Sequence, residues 1–188
     1  SGASTAAAVT AVVLLIAAVI VLSELFEQTV QRNFDARLRA IMDGLQVNIE
    51  LARDGSPRVQ GSFADTRFQL QDSGWYWQVA PVLPGKKPAS SASLLEPPLA
   101  LPADGLGNRD KEGYARFSMS DAAGNQLRGI EQRLKLFGSD ADYSFVVTGN
   151  FDELRNEVLA FRRGLYLSLA LIGFGLLAAI FFQVRYGL

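Results

Sequence analysis

Three groupings of residues in this chain have the types and spacing for chemistry. Asp140 and Asp142, with Asp104, Asp110 and Glu112 in an earlier stretch, offer the oxygen donors a hard cation takes. They lack the spacing and terminal glutamate of an EF-hand loop, and solvated turn residues account for them better. The run Trp75-Tyr76-Trp77 could floor a small-molecule pocket, although alternate aromatics in a strand belong more often to a core. Arg116, Arg128 and Arg133 could capture an anion or simply solvate the outer face of a sheet. Trp75, Trp77 and Arg116 are the candidate ligand contacts.

Absences narrow the chemistry further. The 188 residues contain neither cysteine nor histidine, which excludes disulfides, zinc fingers, thiol nucleophiles and any Ser-His-Asp or Cys-His pair. Phosphate loop, dinucleotide fingerprint and nucleophile elbow are also missing, so no catalytic residue and no metal site is expected. With 18 basic and 19 acidic residues the net charge is -1, and nothing in it favours a nucleic-acid partner.

The elements that must carry these residues are unevenly apolar. Residues 6–22 and 165–182 hold no charge, and at about 1.5 Å per residue they form helices of roughly 26 and 27 Å. Flanking Leu25 and Phe26 extend the first toward the roughly 30 Å hydrocarbon core, so both are expected to span a bilayer. A soluble core helix would keep a polar stripe, and a signal peptide would have a shorter apolar run with a small-residue cleavage site before Ser23. Thr10 and Ser168 are expected to bond back into the preceding helical turn. Gly173, Gly175, Ala178 and Ala179 form a small-residue patch suited to close helix packing. The chain opens on Ser1 without a methionine, so its natural start is expected upstream.

Between the spans, residues 23–164 read as one domain. Phe26, Val30, Phe34, Leu38, Ile41, Leu45, Ile49 and Ala52 make a helical stripe that predicts a helix over 23–52, ended by Asp54-Gly55-Ser56-Pro57. Asn150 with Glu153 forms a capping box for a second helix over 151–164, with Phe151, Leu154, Val158 and Phe161 at helical spacing. Period-two alternation around 75–79, 114–119, 126–136 and 143–148 predicts an antiparallel meander of at least four strands within 74–148. The fold class is therefore α+β, with the sheet's apolar face on the first helix. Residues 81–102, with six of the seven prolines, predict a long irregular excursion. The layout is a first span within 1–22, the domain at 23–164, a second span at 165–184 and a linker beginning at 185–188.

Particular strings add a resemblance: Leu22-Ser23-Glu24-Leu25-Phe26, Phe34-Asp35-Ala36-Arg37-Leu38, Ser73-Gly74-Trp75-Tyr76-Trp77-Gln78-Val79, Asn150-Phe151-Asp152-Glu153-Leu154 and Gln183-Val184-Arg185-Tyr186-Gly187-Leu188. Together, over essentially the whole chain, they resemble the N-terminal periplasmic sensor and transmembrane region of bacterial two-component sensor histidine kinases. The resemblance implies a PAS-like periplasmic domain, an inner-membrane location and a homodimer. It further implies a HAMP linker and kinase core beyond Leu188 that use ATP and magnesium and phosphorylate a response regulator. A periplasmic protein or small ligand would act by shifting two helices against each other, with Phe34, Leu38, Leu154 and Phe161 on the transmitting faces. A non-enzymatic envelope scaffold or regulatory partner, and the input domain of a chemoreceptor or cyclase, remain as alternatives.

Overall fold

The computed structural model describes residues 2–60, 65–83, 85, 87–95, 97–102 and 106–186. The chain divides into two compact units, one of Ser1–Arg32 with Leu154–Leu188 and the other of Asn33–Glu153. Asp104, one of the carboxylates considered for a cation, lies outside the described residues, as do Gly187 and Leu188.

The first unit is built from the greater part of two long helices, α1 (Gly2–Val47) and α2 (Phe151–Tyr186). Both are long and apolar enough to cross a membrane, with mean hydropathy of 2.7 and 2.4 in their most apolar windows. Those windows are 6% and 0% buried, the reverse of a helix in a soluble core. Thr10 Oγ1 donates to the Ala6 carbonyl at 2.9 Å and Ser168 Oγ to that of Gly164 at 3.0 Å, so each hydroxyl is satisfied within its own helix.

The second unit is α+β. Its five-stranded sheet is formed by β3 (Tyr76–Pro81), β4 (Ala89–Ser90), β5 (Tyr114–Ser120), β6 (Gln126–Lys135) and β7 (Asp142–Asn150), all neighbours antiparallel in the order β4-β3-β7-β6-β5. Hairpins at Asp121–Asn125 and Leu136–Ser139 join the meander β5-β6-β7, with Gly124 and Gly138 at φ of 89° and 86°. The Asn33–Val47 part of α1 buries Phe34, Leu38, Met42 and Leu45 against one face of this sheet.

Local differences from the sequence reading have identifiable causes. The first helix stops at Val47 instead of Ala52, because Ile49–Leu51 becomes β1 and pairs antiparallel with β2 (Pro57–Val59). Asp54-Gly55 is the turn of that hairpin, with Gly55 at φ 74° and Ala52 N–H bonded to the Ser56 carbonyl. Met42, fully buried, takes the core position expected of Ile41, since the stripe steps 34, 38, 42, 45. Asn150 Oδ1 accepts from Asp152 N–H at 3.0 Å, but among the described residues Glu153 makes no return bond, so the cap is one-sided. Helix α2 runs from Phe151 through the second apolar run without a break, the continuous helix that the sequence predicts.

The sheet has no solvated face at its centre. Trp77 and Val79 face α1, while Tyr76, Gln78, Glu131, Val146 and Thr148 point to the opposite face and are equally buried. The proline-rich excursion and the stretch after it meet this face: Leu99 N–H donates to Gln78 Oε1 at 2.9 Å, and Arg109, beyond the excursion, pairs with both Ala115 and the Glu131 carboxylate. The excursion also contributes β4 to the sheet edge.

Candidate functional site

The densest polar constellation joins α1 to the sheet. Asp35, Arg39 and Asp43 recur at helical i, i+4 spacing beside the buried stripe, which places all three along one edge of the helix. Opposite them, Tyr114 and Arg116 of β5 and Arg128 of β6 stand on the helix-facing side of adjacent strands. Arg128 grips Asp35 with both arms of its fork, Nε at 2.6 Å and Nη2 at 2.9 Å. Arg116 reaches Asp35 at 3.4 Å and Asp110 at 3.1 Å, and Arg39 bonds Asp110 at 2.7 Å and Glu112 at 2.6 Å. Tyr114 completes the ladder, its hydroxyl donating to Asp43 at 3.3 Å and its ring lying 4.9 Å beneath the Arg39 guanidinium.

These groups are tuned by one another. The Asp35 hydrogen bond raises the Arg128 guanidinium further, outweighing partial burial. Desolvation pushes the Asp110 carboxyl up, but the Tyr114 and Glu112 amides with the Arg39 and Arg116 charges outweigh it and hold it below the usual range. Asp35, Asp110 and Glu112 each have an arginine in reach, while burial and the nearby Asp43 charge push the Tyr114 phenol up. The arrangement fixes the angle and register of α1 on the sheet.

An aromatic cluster lies at the Asn150 end of the same face. Phe34 sits 5.6 Å from the Trp75 ring and 6.4 Å from Phe151, directly over Gly149, the last glycine before α2. A Cβ at Gly149 would stand 2.6 Å from Phe34 and 2.9 Å from Trp75, so only glycine permits this approach. Arg67 covers the Trp75 ring at 3.8 Å, and Asp65 holds Arg67 in place, its carboxyl drawn down to about 2 by that hydrogen bond.

The nominated ligand residues are thereby located. Trp75 is 1% exposed, enclosed by Phe34, Phe68, Arg67 and Arg37, with its Nε1 donor buried and without a hydrogen-bond partner among the described residues. Trp77 lines a surface cleft of about 440 Å³ with Phe68, Pro57, Arg58, Gln69 and Ser90. Arg116 belongs to the helix–sheet ladder, and Arg128 and Arg133 are likewise held by carboxylates, Arg133 by the buried Glu131. The carboxylates Asp110 and Glu112 go to arginines, and among the described residues no three His, Cys, Asp or Glu side chains converge as metal ligands.

Of the helix faces singled out for transmission, Phe34 and Leu38 are buried on the sheet. In the other unit, Phe161 stacks on Phe26 with centroids 3.8 Å apart, and Leu154 is half-buried. One turn from that stack, Arg162 donates to Ser23 Oγ at 2.8 Å and Glu27 Oε2 at 2.6 Å, with Glu24 at 3.8 Å. Sequence reasoning missed this bond and the Asp35 ladder. The alternating signs of Asp35, Arg39 and Asp43 were a usable signal for the ladder, whereas the Arg162 pairing spans more than a hundred residues and left none. No family model, curated protein or solved structure matches the chain.

Proposed function

We propose that this chain is the membrane-anchored sensor module of a two-component histidine kinase, with residues 23–164 forming a PAS-like periplasmic domain. The observation that carries this reading is the double continuity of the helices. Helix α1 belongs to both compact units, and β7 passes at Asn150 directly into α2 with no intervening linker. An antiparallel sheet clamped to a long helix is what a PAS-like sensor calls for, and a sheet strand that becomes a span needs no further part to pass on a displacement. Interface shifts of about 1–2 Å, with coupling of about 1–3 kcal/mol, are the usual scale for such switches. The module would act as a homodimer. HAMP linker, ATP- and magnesium-dependent kinase core and response regulator are assigned to other sequence and other proteins.

Disulfide crosslinking in the full-length protein tests the mechanism. Cysteines at Leu25 and Leu165, each replacing a residue of the paired helices, should crosslink between protomers to different extents with and without stimulus. The same pattern in both states would overturn the helix-shift reading. The reading frame after Leu188 tests the output: a HAMP segment, a phosphoacceptor histidine and an ATP-binding domain are expected. A frame without them would favour the envelope-scaffold reading, and one with a different signalling domain the chemoreceptor or cyclase reading.

A further inference from the structure

The water–hydrocarbon boundary is marked at the same level on both helices. The uncharged run of α1 ends at Ser23, that of α2 begins after Gly164, and the Arg162 bonds to Ser23 and Glu27 tie these two points together. Two arginines stand at this level, and they differ. Arg162 turns toward α1 and is neutralised by Glu27, whereas Arg163 turns outward and forms no ion pair among the described residues. Beside it Tyr166 and Leu167 are 57% and 58% exposed, and with Leu159 and the arginines they line an open cleft of about 500 Å³ on α2.

From this we propose that the cleft is a binding site for the phosphate headgroup of an anionic phospholipid. The inference rests on the membrane reading above. A guanidinium at the boundary with no carboxylate partner matches a lipid phosphodiester in charge and in the geometry of its fork. A phenol one helical turn deeper supplies a second donor at the depth where tyrosines concentrate in membrane proteins. Leu167 continues the surface toward the hydrocarbon, where an acyl chain would lie. Arg162 is the poorer match, because its charge is offset by Glu27 and its Nε and Nη2 already donate to Ser23 and Glu27.

The test uses the whole chain in vesicles of equal parts phosphatidylcholine and phosphatidylglycerol. Flotation first reports whether the chain partitions into the bilayer. Extraction in mild detergent and native mass spectrometry then count the lipids retained. Phosphatidylglycerol is expected to be enriched about fivefold over phosphatidylcholine, the scale of one arginine at an anionic surface. R163Q should bring the ratio to about one, Y166F should lower it partly, and R155Q, an exposed charge further from the span, should leave it unchanged. Flotation without lipid preference overturns the headgroup site alone, whereas failure to float overturns the membrane reading as well. Equal losses in R163Q and R155Q would reduce the effect to bulk charge and overturn the site. Loss of a dimer in R163Q without lipid enrichment would assign the cleft to a second copy, which also overturns it.

Discussion

Gly149 concentrates much of the second unit's packing at one Cα. Phe34 and Trp75 meet above it, so Gly149→Ala should cost about 1–3 kcal/mol through overpacking, read as a lower denaturation midpoint by tryptophan fluorescence. The same change at Gly164, where a Cβ meets nothing within 4 Å, should cost no stability and serves as the control for helix propensity. Asp65 and Asp110 set the acid response. Both carboxyls lie below the ordinary 3.8 in the folded chain, Asp65 at about 2, so the ionised forms favour the fold. That contribution is complete above about pH 4 and disappears as pH falls through the folded value. Acid titration of unfolding should therefore show stability dropping between about pH 4 and 2, with the drop reduced in Asp65→Asn. At the alkaline end, burial and the Asp121 hydrogen bond push the Tyr76 phenol up to about 12, and its absorbance should titrate there.

Among elements, the decisive contact is α1 on the sheet. Apolar burial of Phe34, Leu38, Met42 and Leu45 supplies the attraction, but a smooth stripe leaves sliding cheap, and the Asp35–Arg128 fork removes that freedom. Asp35→Asn should lower stability by about 2 kcal/mol, the scale of a hydrogen-bonded charge lost at a partly buried site. A double-mutant cycle with Arg128→Gln should show the two losses to be less than additive; full additivity would mean that the fork contributes nothing. On the opposite face, Glu131 is fully buried among Arg109, Arg133 and Ser144, so the excursion and the stretch after it are held by charge as well as by Leu99 on Gln78. Removing Arg109 would leave that buried carboxylate with Arg133 and Ser144 on one oxygen only, a costlier change than loss of a surface pair.

For the whole molecule, the most telling feature is the distribution of apolar surface. Val9, Leu171 and Phe174 are among the large side chains left exposed along windows that are almost entirely unburied. Both surfaces are long and apolar enough to cross a bilayer, which is the setting that would bury them. Proteinase K added to reconstituted vesicles should digest the accessible chain between the two apolar runs and leave two protected fragments covering 6–22 and 165–182. Complete digestion of either run would remove it from the bilayer.

How far the chain explains itself depends on the range of the interaction. The apolar runs, the amphipathic stripe through Phe34 and Leu38 and the period-two strands were legible, because each reflects a repeat within one element and needs no partner to be recognised. The β1–β2 hairpin was not, since Ile49 fits the helical stripe as well as it fits a strand, and only pairing with Val59 decides between them. Nor was the burial of both sheet faces, because Tyr76, Gln78 and Glu131 look like the polar side of an alternating strand until the excursion and the stretch after it meet that face. The arginines show the same limit most clearly. Composition counts Arg116, Arg128, Arg162 and Arg163 alike, and only the fold gives the first three carboxylate partners and leaves Arg163 facing outward. A charge's role depends on what the tertiary structure brings within a few ångströms of it, and that distance is not written in the local sequence.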